Sequence, residues 1–187
     1  GLGGGSSDAG AVLRALAALS PGLLSDAELA RIALGLGADV PFFLDPRPAL
    51  VRGIGERIEP VAGLPRLPLV LLNPGISLAT ADVYAAWDAL EGALTPAPPG
   101  STMRALSDYL ASDPSDPATG ADRLAALLTN DLEAAAVRLC PPVGRLRRSL
   151  EAEGAVAVGM SGSGATVFGV FESAGAGPPV GRVAPRP

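Results

Sequence analysis

The chain has 187 residues, 48% of them apolar and 18% charged, so it is not a disordered polyelectrolyte and is long enough to bury a core. A net charge of −5 speaks against non-specific nucleic-acid binding through a basic surface, and no nucleic-acid partner is expected. There is no His, Lys or Gln, and all 14 basic residues are Arg; this excludes a Ser-His-Asp triad, a His-ligated zinc site, a lysine Schiff base and a Walker-type phosphate loop.

Ser7 and Asp8 are capping types ahead of Val12, Leu13, Leu16 and Ala17, and predict a helix ending at Ser20-Pro21-Gly22. Ser25 with Glu28 forms a capping-box pattern for a second helix that stops at Gly37. Pro41 is expected to hold Val40 away from helical angles. Phe42 to Leu44 and Ala49 to Arg52 read as short strands around a turn at Asp45-Pro46. The turn-rich stretch Pro60 to Pro68 is the candidate domain boundary. Beyond it come a buried-type strand, Leu69 to Leu72, and a helix capped by Thr80. A linker from Thr95 to Gly100, a helix from Ser101 to Leu110 and a polar loop from Ser112 to Gly120 follow. A long helix is expected from about Ala121 to Leu139, and another from Val143 to Glu153 closed by Gly154. Two strands, Ala155 to Val158 and Ala165 to Phe171, flank Ser161-Gly162-Ser163-Gly164. Helices and strands mix without βαβ alternation, which favours an α+β class. No apolar run approaches the roughly 20 residues of a bilayer-spanning helix, so no membrane partner is expected. The single cysteine, Cys140, has no internal disulfide partner and suits a reducing, cytoplasmic location.

Four segments carry candidate chemistry. Gly1-Leu2-Gly3-Gly4-Gly5-Ser6-Ser7-Asp8 reads either as a loop cradling phosphate ahead of a helix starting at Ser7 or Asp8, or as a flexible linker. Asp39 follows a helix end, where the dipole disfavours an acid, and stands beside Phe42 and Phe43. It reads as a partly buried functional carboxylate or as a turn aspartate. With His and Lys absent, a general base must be Asp, Glu, Tyr or Cys. Ser161 to Gly164 reads as a hairpin turn, or as a buttress for the first glycine segment. Tyr84, one turn past Thr80, offers a ring for stacking or packs at a core edge. Arg145, Arg147 and Arg148 read as a solvated helix face, and Asn130 and Asp131 as polar positions within a helix.

In this order the segments resemble the GHMP kinase superfamily, and its diphosphocytidyl branch in particular. The resemblance rests on Gly1-Leu2-Gly3-Gly4-Gly5-Ser6-Ser7-Asp8-Ala9, Leu36-Gly37-Ala38-Asp39-Val40-Pro41-Phe42-Phe43 and Gly53-Ile54-Gly55-Glu56. It continues through Asn73-Pro74-Gly75 with Thr80, Asn130-Asp131-Leu132-Glu133 and Met160-Ser161-Gly162-Ser163-Gly164-Ala165. It implies a two-domain α+β fold. Residues 1–66 would be part of an N-terminal ribosomal-protein-S5-like, ATP-binding domain. Residues 67–172 would be a C-terminal ferredoxin-like α/β sandwich, and 173–187 a low-complexity tail. The implied reaction is phosphoryl transfer from ATP, with Mg2+, to a hydroxyl of a small-molecule substrate, a cytidine-diphosphate derivative of methylerythritol. The resemblance assigns Gly1, Leu2, Gly3, Gly4, Gly5, Ser6 and Ser7 to the ATP phosphates, and Asp39 to the catalytic base. It assigns Thr80 and Tyr84 to the substrate, and Ser161, Gly162, Ser163 and Gly164 to a loop supporting the first. It leaves the metal ligands unassigned.

The family's N-terminal segment and its Lys are not found in this chain, and the stretch from Ser173 departs from the family pattern. The chain is therefore expected to be a fragment with negligible turnover by itself. The competing readings are another GHMP kinase of homoserine or mevalonate kinase type, and a non-catalytic nucleotide-binding module.

Overall fold

The computed structural model describes residues 2–90, 101–111 and 123–172, with the side chains of 101–103 left aside. Gly1, the linker expected over 95–100, the polar loop over 112–120 and the tail from 173 lie outside the described residues. The chain divides into two compact units, Gly3–Pro65 and a second that runs from Arg66 and also takes in the N-terminal Leu2.

In the first unit, helix α1 spans Gly4–Leu19 and α2 spans Asp26–Leu36. The expected capping box starts α2: Ser25 Oγ accepts from Glu28 N–H at 3.3 Å, and Glu28 Oε2 accepts from Ser25 N–H at 2.9 Å. After α2 the structure departs from the expected strand. Val40 takes helical angles (φ −65°, ψ −39°) and Pro41–Leu44 forms a 3₁₀ turn. Proline at the first helical position lacks only an N–H that would be unsatisfied there anyway, so its fixed φ starts this turn instead of blocking it. The hairpin lies further on. Strands β1 (Ala49–Arg52) and β2 (Arg57–Pro60) pair antiparallel, with Ala49 opposite Pro60 and Arg52 opposite Arg57. Their turn is Gly53 to Glu56 rather than Asp45-Pro46. Two glycines at positive φ, 69° at Gly53 and 106° at Gly55, supply angles that Asp45-Pro46 does not offer.

The second unit is built on a three-stranded antiparallel sheet of β3 (Leu69–Leu72), β4 (Ala157–Met160) and β5 (Val167–Val170), in the order β3-β5-β4. Around it lie α3 (Thr80–Asp88), α4 (Ser101–Leu110), α5 (Glu133–Leu139) and α6 (Pro141–Ala152). Cross-strand neighbours share a face. Val70, Leu72, Val158, Met160 and Val167 turn to one side and join Val83 of α3, Ala135 and Ala136 of α5, and Val143 and Leu150 of α6 in the main core. Gly169 lets α6 close on the sheet: a Cβ there would stand 3.2 Å from Leu150 Cδ2. Ala157 and Val170 face the other way, against Leu124, Leu128, Leu67 and Tyr109.

The long helix expected from Ala121 to Leu139 is interrupted. Residues 123–127 are helical, 128–130 are not, and α5 begins at Glu133. The break is at Asn130, whose Oδ1 accepts from Leu132 N–H at 3.0 Å and so takes a donor from the helical ladder.

Candidate active site

The N-terminal glycines do not form a loop running to residue 8. Gly3 adopts left-handed angles (φ 64°) and caps α1, which starts at Gly4, three residues earlier than the sequence pattern suggests. Ser7 N–H donates to Gly3 O at 2.8 Å, and Ser7 Oγ to Gly4 O at 2.8 Å. The N–H groups of Gly4, Gly5 and Ser6 are thus those of a first helical turn, which have no acceptor within a helix. No acidic side chain stands in that turn to offset the positive end of the helix. A Cβ built on Gly4 or Gly5 would meet nothing within 4 Å, so the backbone here is open to a ligand.

Phe43 fixes where this turn sits. A Cβ on Gly3 would be 3.2 Å from the Phe43 ring, and one on the buried Gly10 only 2.5 Å from Phe43 Cβ. Asp39 lies in the turn between α2 and the 3₁₀ segment, and its backbone is held on both sides. Val40 behind it is 2% exposed and donates its N–H to Gly37 O. Ahead of it, Gly55 packs directly on the Ala38 carbonyl. The side chain itself is exposed, so the partial burial expected from Phe42 and Phe43 is not found. Those two rings instead stack edge to face on each other, 5.2 Å between centroids.

Thr80, Tyr84 and the Ser161–Gly164 loop belong to the second unit. Thr80 does not cap α3; Ala79 occupies that position, and Thr80 Oγ1 shares a 3.0 Å hydrogen bond with Ser163 Oγ. Tyr84 is 51% exposed, its ring available from solvent. The loop turns tightly: Ser161 N–H donates to Thr166 O and Gly164 N–H to Ser161 O, with Gly162 and Gly164 at positive φ.

Three polar residues to which the sequence pattern assigns no role tie this region together. Asn130 is not an idle helix position: its Nδ2 donates to Met160 O at 2.9 Å and to Gly162 O at 2.8 Å. Asn73 Nδ2 donates to Thr166 Oγ1 at 2.7 Å, while its Oδ1 accepts from Gly75 N–H at 2.7 Å. Thr166, 3% exposed, is the buried polar side chain at the start of β5. Asn73 and Asn130 stand in motifs that carry the resemblance, but without an assigned role, and Thr166 is a lone polar residue in an apolar run. Arg147 also departs from the expected solvated face: it is half-buried, with Nη1 at 2.7 and 2.9 Å from both Glu133 carboxylate oxygens and Nε at 3.1 Å from Glu151. Among the described residues no cluster of three or more His, Cys, Asp or Glu side chains is placed to hold a metal ion.

Unpaired N–H groups at a helix start can receive a phosphate, and an exposed carboxylate can accept a hydroxyl proton. Two family models match the chain, GHMP kinases N terminal domain over residues 1–45 and GHMP kinases C terminal over residues 105–184. The chain belongs to the GHMP kinases, and its fold is their α+β architecture. It is similar to curated proteins named 4-diphosphocytidyl-2-C-methyl-D-erythritol kinase. That of Chelativorans sp. (strain BNC1) is 45% identical over 175 residues, 93% of this chain and 55% of the relative. That of Mesorhizobium japonicum is 43% identical over 174 residues, 92% and 54% respectively. A crystal structure of 4-(cytidine 5'-diphospho)-2C-methyl-D-erythritol kinase superposes with a TM-score of 0.69 at 39% identity, over 91% of this chain and 56% of that one. Mevalonate kinase of L. major in complex with R-mevalonate shares the fold, with a TM-score of 0.52 at 19% identity over 91% and 57%. The chain spans about half the length of the curated relatives it matches.

Proposed function

We propose that this chain contributes to ATP-dependent kinase chemistry in which the γ-phosphoryl group of ATP passes to the 2-hydroxyl of 4-diphosphocytidyl-2-C-methyl-D-erythritol, in isoprenoid precursor synthesis in the cytoplasm, and that by itself, without any Lys, it turns over negligibly. The observation that carries this is the 45% identity, over 93% of the chain, to a relative of that name. In this reading the segment to residue 66 is the ATP-binding part and 67–172 the C-terminal domain. The N–H groups at the start of α1, with Ser6 and Ser7 beside them, receive the ATP phosphates, where helix-end dipole and free donors favour negative charge. Mg2+ supplies charge neutralisation and travels with the phosphate oxygens, which needs few protein ligands. Asp39 accepts the proton of the attacking hydroxyl. Its exposed carboxylate is available to a substrate, and its backbone, fixed by Val40 and Gly55, gives it a defined position. Phosphoryl transfer asks mainly for positioning and a carboxylate for the proton, both within the means of a chain without His or Lys. Tyr84 offers its ring to the cytosine, and Thr80 its hydroxyl to the substrate in exchange with Ser163.

The test is steady-state phosphorylation of the cytidine-diphosphate alcohol, in this chain and in the complete reading frame that carries it. Asp39→Asn keeps the shape and removes the acceptor; turnover should fall about a hundredfold or more, the usual scale for an acid–base group, with ATP affinity little changed. Near-normal turnover would remove Asp39 from the mechanism. Competition by cytidine nucleotides distinguishes this substrate from the homoserine or mevalonate kinase alternative.

A further inference from the structure

Asn130 stands at the break between the 123–127 helical segment and α5, on neither helix. Its amide makes three contacts that use all of its short reach. Oδ1 accepts from Leu132 N–H, while the two Nδ2 hydrogens go to Met160 O and Gly162 O. Met160 ends β4, and Gly162 is one of the two positive-φ glycines of the loop. One side chain therefore joins the strand end to the turn that follows and sets the angle at which Ser161–Gly164 leaves the sheet. The loop's backbone bonds, Ser161 to Thr166 and Gly164 to Ser161, close the turn, and Thr80 Oγ1 shares a hydrogen bond with Ser163 Oγ.

We propose that Asn130 is a positioning residue: its amide clamps the Ser161–Gly164 loop, and through that loop it sets the geometry of phosphoryl transfer. The second half of this statement rests on the kinase reading; the first does not. The chemistry of the amide separates the clamp from a plain structural role at the start of α5. Asn130→Asp is nearly isosteric and keeps the oxygen that accepts from Leu132 N–H, so the helix start is preserved. It removes both donors and sets a carboxylate against two carbonyl oxygens. A clamp predicts that Asn130→Asp is at least as damaging as Asn130→Ala. A helix-start role predicts that Asn130→Asp is close to wild type.

Two measurements decide the matter, exchange on this chain and turnover in the complete reading frame that carries it. In hydrogen exchange, amides of the peptide covering 158–168 should exchange about tenfold faster or more in Asn130→Asp. Peptides from α6, in the same unit, should be unchanged and serve as the check that this unit is folded. In turnover with ATP and the cytidine-diphosphate alcohol, kcat should fall about tenfold or more while both KM values stay within about threefold, since a misplaced centre loses rate before it loses binding. Should Asn130→Asp fail to fold, Asn130→Ser, neutral and with one donor, carries the same two measurements. Unchanged loop exchange overturns the clamp. Faster exchange with unchanged kcat leaves a clamp but overturns its part in catalysis. Absence of turnover in the unmutated protein, in chain and complete reading frame alike, overturns the kinase reading and the catalytic half with it, while the exchange result still stands or falls by itself.

Discussion

Gly55→Ala tests the idea that the β1–β2 turn holds the backbone of Asp39. Gly55 lies at φ 106°, where an L side chain is strained, and a Cβ there would sit 1.8 Å from the Ala38 carbonyl oxygen and 2.8 Å from its carbon. The φ term costs about 1–3 kcal/mol. The contact involves backbone on both sides, so relief means retreat of the hairpin by about 1 Å, an overpacking cost of about 1–3 kcal/mol. The first unit should thus lose about 2–6 kcal/mol. Gly53→Ala is the matched control in the same turn. Its φ of 69° also disfavours a side chain, but its clash is with the Glu56 carboxylate, which can swing away. Its cost should stay near 1–2 kcal/mol, the left-handed penalty with one exposed hydrogen bond lost. Urea-dependent hydrogen exchange over peptides spanning 33–60 measures both. Turnover should also drop in Gly55→Ala, although residue 55 carries no reactive group. Equal costs for the two variants, or a loss below about 1 kcal/mol for Gly55→Ala, would refute the bracing of Asp39 by this turn.

Gly4→Val should weaken ATP binding by filling the space before the α1 N–H groups, while stability holds or rises slightly, since Val outranks Gly in a helix; calorimetry with ATP beside a melting curve shows whether binding moves alone. The Ser25 backbone N–H, then its hydroxyl, hold the Glu28 carboxyl below its ordinary value. A carboxylate depressed in the folded state contributes stability above its unfolded pKa and loses it as pH falls through the folded value. The melting temperature of the first unit should therefore decline on acidification from neutral pH to about pH 3, and Glu28→Gln should flatten that decline; an identical profile in the variant would contradict the sign. Arg147→Ala should destabilise the second unit by about 1–2 kcal/mol, because Glu133, 20% exposed, loses the guanidinium nitrogen that donates to both of its oxygens. Denaturant unfolding checks this, and a change under about 0.3 kcal/mol would class the pair with ordinary surface bridges.

Segments whose structure is dictated by near neighbours were legible in the sequence. Ser25 and Glu28 are three residues apart, and their capping box is where the pattern puts it. Leu69 to Leu72 and the two strands around the second glycine loop announce themselves by apolar β-type runs, although backbone pairing sets the start of β4 and of β5 two residues later than the apolar pattern does. What was not legible depends on partners far along the chain. Phe42-Phe43-Leu44 has strand composition, but Phe43 is wanted against Gly3 and Gly10, and the helical turn begun at Pro41 delivers it there. Asn130 sits in a run with good helical spacing, and nothing local says that its amide belongs to carbonyls thirty and thirty-two residues away. Arg147 is one of three arginines that the sequence alone leaves equivalent; the fold singles it out by bringing Glu133 within 2.7 Å of it. The order of the glycine motifs was legible as family resemblance; the local start of α1 was not, because three consecutive glycines carry little helix signal of their own.

β3 has a consequence for handling rather than chemistry. It pairs with β5 along one edge only, and among the described residues nothing pairs with the other. Two of its four side chains, Leu69 and Leu71, are 53% and 52% exposed, and none of the four is charged. Soluble proteins commonly guard such an edge with lysine, proline or a bulge; this chain has no Lys to place there, and Pro68 stands just before the strand rather than on it. A net charge of −5 keeps whole molecules apart at a distance, yet it is blind to four uncharged residues offering a ready backbone ladder. A charge placed at Leu69 or Leu71 is therefore expected to reduce edge-to-edge association on concentration.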